Sequence, residues 1–147
     1  MRWLATCFVL WATVALTGCA IFRPDGSWVD GVSERDAMQL TVQIADLAAQ
    51  QLPPGQTVRL ALPPASATGQ LVATHLKEAL QGRGLTVTEG DAPAKDAHAL
   101  RYLITRYGEG LLLRVRIDTA EASTVLSRGR DGALIAGAPL AIRKAAQ

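Results

Sequence analysis

RYLITRYGEGLLLRVRID, residues 101–118, carries the cleanest alternation in the chain. Leu111, Leu113, Val115 and Ile117 alternate with Leu112, Arg114, Arg116 and Asp118, so one face of a strand is buried and the other is wet. Gly108-Glu109-Gly110 joins this run to a second strand, Ala99 to Tyr107, as a tight hairpin. Downstream, a third strand covers about Glu121 to Ser127, and Arg130-Asp131-Gly132 marks the next turn. Leu134 to Ile142 closes the meander, with Pro139 placing that strand at a sheet edge, because proline cannot donate to the ladder.

Upstream, the period changes. Ser33 stands three residues before Asp36, a capping-box spacing, and Ala37, Leu40, Ile44, Leu47, Ala48 and Gln51 follow at helical intervals. Pro53-Pro54 ends that helix near Leu52. Val58, Leu60 and Leu62 alternate with Arg59 and Ala61 as a short strand. Ser66 caps a second helix whose buried stripe is Leu71, Val72, His75, Leu76, Ala79 and Leu80, and Gly82 and Gly84 stop it. Leu85, Val87 and Glu89 alternate again. Strand, helix and strand together have the length of a βαβ unit, and DAPAKDA, residues 91–97, is a loop. The expected fold is therefore a single α+β domain, two helices packed on a mixed, largely antiparallel sheet of about five to six strands.

The 147 residues suit one domain, and half of them are apolar, enough for a core. A net charge of +2 with no run of Lys or Arg argues against direct nucleic-acid binding. Cysteine occurs only at 7 and 19, so the body of the chain holds neither a disulfide nor a thiolate metal site. His75 and His98 are too far apart for a two-histidine zinc motif. The turn PPASATG after the first helix-flanking strand lacks the glycines of a phosphate loop. G-x-S-x-G, H-E-x-x-H and close carboxylate pairs are absent, so no catalytic residues, metal or cofactor, and no small-molecule substrate, are expected.

The N-terminus, MRWLATCFVLWATVALTGCA, has one basic residue, Arg2, and an apolar run from Trp3 to Leu16. Such a run falls short of the about 20 residues that span a bilayer and fits a secretory signal. It ends in Leu16-Thr17-Gly18-Cys19, which looks like a bacterial lipobox. Small residues let a peptidase reach the backbone, and the Cys19 thiol is nucleophilic enough to take a diacylglyceryl group. The resemblance implies cleavage before Cys19 and an anchor of several acyl chains, which holds a protein on a membrane stably. Ala20, rather than Asp, resembles the pattern sorted to the outer membrane of Gram-negative bacteria. The expected organisation is a leader at 1–18, the lipidated cysteine and a tether at 19–33, and a periplasm-facing domain at 34–147. Removing residues 1–18 takes away one charged group, Arg2, and leaves a net charge of +1.

The tether holds RPDG and Gly31, as a linker would, and residues 20–33 extend at most about 50 Å. It also holds Ile21, Phe22, Trp28 and Val29, which pure spacers lack. Two readings stand: Ile21 and Phe22 enter the headgroups while Trp28 caps the domain, or the segment binds a partner protein along its length. Arg114 and Arg116 project from one sheet face, with Arg101 and Arg106 as neighbours. They form either a solvated face or a docking surface for an acidic partner.

The lipobox, the helix ended by paired prolines, KEALQGRGLTV, RYLITRYGEGLLLRVRID and GALIAGAPLAIR together resemble the TrbH-type lipoproteins of conjugative DNA transfer, over about residues 16–143. The resemblance implies an outer-membrane lipoprotein, lipidated at Cys19, that acts as an accessory of a type IV secretion (mating-pair formation) apparatus and binds other transfer-apparatus proteins. The strand-helix-strand plus meander also resembles periplasmic lipoproteins that activate cell-wall synthases or assist outer-membrane assembly. A lipid-anchored hydrolase is the third reading, and it requires a pocket with converging acid and base groups.

Overall fold

The computed structural model describes residues 26–90, 95–137 and the backbone of 141–144. The expectations placed on Leu16 to Cys19, Ile21 and Phe22 lie outside these residues. The elements run β1 (Trp28–Val29), α1 (Glu34–Gln51), β2 (Thr57–Leu60), α2 (Ala67–Gln81), β3 (Thr86–Glu89), β4 (Ala97–Tyr107), β5 (Gly110–Ile117), β6 (Ala120–Arg128), β7 (Leu134–Ala136) and β8 (Ala141–Lys144).

Both helices begin at the serines the sequence marks. Ser33 Oγ accepts the Asp36 N–H at 3.2 Å and Ser66 Oγ accepts the Gly69 N–H at 3.0 Å, each satisfying a donor that the first helical turn leaves open. α1 closes at Leu52, whose N–H donates to Ala48 C=O at 2.9 Å, just before the prolines. Gln51, placed on the helical stripe by spacing, is exposed. Leu52 is buried instead, because the chain turns extended there. Leu62, placed in the first strand, lies past its end and is 43% exposed.

The sheet is mixed, as expected. Its main path is β3-β2-β4-β5-β6-β7, with β1 pairing β4 and β8 pairing β6. β2, α2 and β3 form the βαβ unit, Thr57 to Leu60 lying parallel to Thr86 to Glu89. β4 adds to the other side of β2, also parallel, and from β4 onward the pairing is antiparallel. The hairpin turns on Gly108 and Glu109, between the paired Tyr107 and Gly110, with Gly108 at φ +58° where a side chain would be strained. The expected closing strand from Leu134 to Ile142 is two strands, β7 and β8, on the same edge of β6, and Pro139 between them lies outside the described residues.

Both helices pack on one face of this sheet. Ala37, Leu40 and Ile44 of α1 and Val72, Leu76 and Leu80 of α2 meet Val58, Leu60, Leu100, Tyr102, Ile104, Leu113 and Val115 in one core. Each large aliphatic side chain buried there contributes about 1.5–3 kcal/mol. Arg83 ties the helices together, its Nε 2.7 Å from Asp46 Oδ1 and its Nη1 donating to Ala79 C=O at 2.9 Å.

The later part of the expected tether enters the sheet. β2 stops at Leu60, leaving the rest of that edge of β4 without a ladder partner, and residues 27–30 take up the vacated lane. Ala61 N–H donates to Leu100 C=O at 3.1 Å. Next, Tyr102 N–H donates to Ser27 Oγ at 3.2 Å, and Asp30 N–H donates to Ile104 C=O at 2.9 Å. The physical reason is backbone satisfaction: an interior strand tolerates few unpaired N–H and C=O groups.

Candidate interaction face

Strand alternation places every second residue of β4, β5 and β6 on the face away from the helices, and the register sets them in rows. One row is Trp28, Leu103, Arg114 and Ser123. The next is Arg101, Arg116 and Glu121, and a third holds Thr105, Leu112 and Val125. Arg59 stands opposite Ala99 on the same face. Among the described residues no element covers this face. Leu103, Leu112 and Val125 are half-buried, whereas their neighbours on the other face are fully buried. Its rim carries exposed apolar groups: Trp28 is 37% exposed, Tyr107 62% and Ile135 57%.

The face is cationic. Among the described residues, register places five arginines, Arg59, Arg101, Arg114, Arg116 and Arg143, and one carboxylate, Glu121, on it. Arg114 Nε lies 3.3 Å from Glu121 Oε1, and Arg116 Nε donates to Asp118 C=O at 3.0 Å. Both guanidiniums keep donors toward solvent, where an exposed pair of this kind is worth less than about 1 kcal/mol.

The structure brings together four of the residues singled out from sequence, Trp28, Arg101, Arg114 and Arg116, and separates two others. Val29 pairs with Ile104, faces the helices and packs on the core. Arg106 pairs with Leu111, one position out of phase with Arg101, so it is not on the face of Arg114 and Arg116. Arg59 and Leu103 join the face although the sequence singled out neither. The alternation of Val58 and Leu60 already showed Arg59 on a wet face, but not that β2 lies beside β4.

Elsewhere, Met38, Thr41, Val42, His75, Glu78 and Ala79 line a shallow groove of about 310 Å³ between the helices. His75 Nδ1 is 3.5 Å from Glu78, and His98 Nδ1 is 2.7 Å from Asp118 Oδ2. Burial pushes the Tyr102 phenol well above its ordinary pKa, and its hydroxyl has no partner among the described residues. Among the described residues no group of three or more His, Cys, Asp or Glu is placed to hold a metal ion, and no helix is long and apolar enough to cross a membrane.

Among the described residues the sheet is backed by helices on one side and uncovered on the other, with arginines and an aromatic rim on the uncovered side, and the class is a small α+β domain with a candidate interaction face. The family model of conjugal transfer protein TrbH matches residues 22–145, and the chain belongs to that family. It is therefore a conjugal transfer component, of a family that is not one of enzymes. No curated protein and no solved structure matches it.

Proposed function

We propose that the protein is a lipid-anchored accessory of a conjugative type IV secretion (mating-pair formation) apparatus, held at the periplasmic leaflet of the outer membrane through Cys19. It acts by binding: the acyl chains fix it at the bilayer, and the folded domain engages other transfer proteins. The observation that carries this reading is the family match across the folded domain, beginning at residue 22, three residues after the Cys19 of Leu16-Thr17-Gly18-Cys19. The match favours transfer over the cell-wall and outer-membrane-assembly readings.

The test is Cys19→Ser in the intact transfer system. The variant is expected to accumulate as the longer precursor, to take up no palmitate label and to leave the outer-membrane fraction, with a fall in mating frequency. A variant that still matures and sediments with the outer membrane overturns the anchor.

A further inference from the structure

We propose that the open face of the sheet lies against the membrane that holds Cys19, its occupant being an anionic phospholipid surface. The proposal rests on the lipid-anchor reading and adds to it an orientation for the domain.

Three observations carry it. The first is reach. Eight residues separate Cys19 from Trp28, so even full extension leaves the first strand within about 32 Å of the anchored sulfur. The chain joins the domain at β1, and Trp28 projects onto the open face in the row of Leu103 and Arg114. The short leash is thus attached at the sheet layer, with the helices on its far side. The second is charge. Residues 26–147 carry 13 basic and 12 acidic side chains, yet register puts five arginines and one glutamate of the described residues on the open face, so the rest of the domain is net negative. A guanidinium matches a phosphate with two parallel hydrogen bonds, and basic groups are drawn to an anionic leaflet within a Debye length. The third is the rim, where Trp28 and Tyr107 are amphipathic aromatics of the kind that settle at headgroup depth. In this orientation the groove beside Met38 and Val42 faces the periplasm, where the other transfer proteins are met.

The mature chain gives a direct reading, because Trp3 and Trp11 leave with the leader and Trp28 becomes its single tryptophan. The full mature lipoprotein, its acylation verified by mass, is reconstituted in phosphatidylethanolamine vesicles with or without phosphatidylglycerol, with a phospholipid spin-labelled at the headgroup. Trp28 fluorescence should be quenched about twofold more strongly with phosphatidylglycerol, and the difference should fall as salt rises. Arg114→Glu with Arg116→Glu should abolish the difference while circular dichroism and acylation stay unchanged.

An acylated chain whose Trp28 stays as open to an aqueous quencher in vesicles as in detergent overturns the docking and leaves the anchor intact. Shielding that follows protein density rather than anionic lipid assigns the face to a second copy and overturns the proposal. Shielding that appears only on adding a polyglutamate peptide overturns it in favour of an acidic protein. A chain that keeps Met1 and an unmodified Cys19 removes the anchor reading, and the proposal with it.

Discussion

Asp36 and Arg128, 92 residues apart in sequence, bolt the first turn of α1 to the end of β6. Arg128 Nη1 donates to Asp36 Oδ1 at 3.0 Å and Nη2 to Oδ2 at 2.5 Å, while the Ser33 hydroxyl donates to Oδ2 at 2.7 Å. Asp36 is fully buried and sits where the helix N-terminus favours negative charge. The spacing of Ser33 and Asp36 suggests a carboxylate that folds back on the cap. Here the carboxylate reaches outward to the sheet as well.

Breaking this pair leaves the buried side chain at position 36 without its guanidinium partner. Asp36→Asn is expected to lower the unfolding free energy by about 2 kcal/mol, read from urea unfolding monitored by circular dichroism. A loss below a few tenths of that would show that solvent replaces Arg128 at no cost.

The same pair gives an acid dependence. The hydrogen bond from Arg128, aided by Ser33 and by the guanidinium charge and opposed by burial, holds the Asp36 carboxyl below its ordinary 3.8. A depressed folded pKa means that the extra stability is complete above the unfolded value, and that it is lost as pH falls through the folded one. Thermal stability should therefore fall more steeply between pH 5 and pH 2 for the native chain than for Asp36→Asn. Parallel curves would contradict this.

Two glycines of the hairpin should respond differently to alanine. A Cβ on Gly110 would lie 2.1 Å from Leu126 C=O oxygen, a backbone atom of β6 that cannot step aside. A Cβ on Gly108 would meet open space and face only the strain of φ +58°. Gly108→Ala should cost about 1 kcal/mol and Gly110→Ala at least twice that, with loss of the β5–β6 pairing visible in amide exchange.

Tyr102 and Ser27 test the lane that β1 fills. Ser27→Ala removes the acceptor of the Tyr102 N–H and should destabilise by about 1 kcal/mol. Tyr102→Phe removes a buried hydroxyl that has no partner among the described residues and should be neutral or stabilising by up to about 1 kcal/mol. If thermal melts show Phe to be the costlier change, the hydroxyl is satisfied in solution.

The elements that period and punctuation define were legible. The strands of the hairpin, the serine caps, the paired prolines and the βαβ spacing are local signals, and each falls within a residue or two of its observed place. The exceptions lie at element ends: Leu62 extended a correct pattern past the end of β2, and Gln51 kept helical spacing in the last turn while the extended chain at Leu52 took the buried place. Residues 27–30 read as linker because Pro24, Gly26 and Gly31 around them are turn residues and a two-residue strand is too short to show alternation.

The candidate face was half legible in the same way. Arg114 and Arg116 share a face because alternation within one strand requires it. Arg106 was grouped with them across strands, and a one-position phase difference sends it to the other side.

Sequence by itself determined the fold class, the two helices, the wet and dry sides of each strand and the family, because these depend on residues near one another along the chain. Tertiary structure alone decided that Trp28 stands beside Arg114, that Val29 is core and that Asp36 meets Arg128. Those relationships are set by which strand lies beside which and in what register. Strand order is chosen by the joint packing of the whole core, and no single segment encodes it.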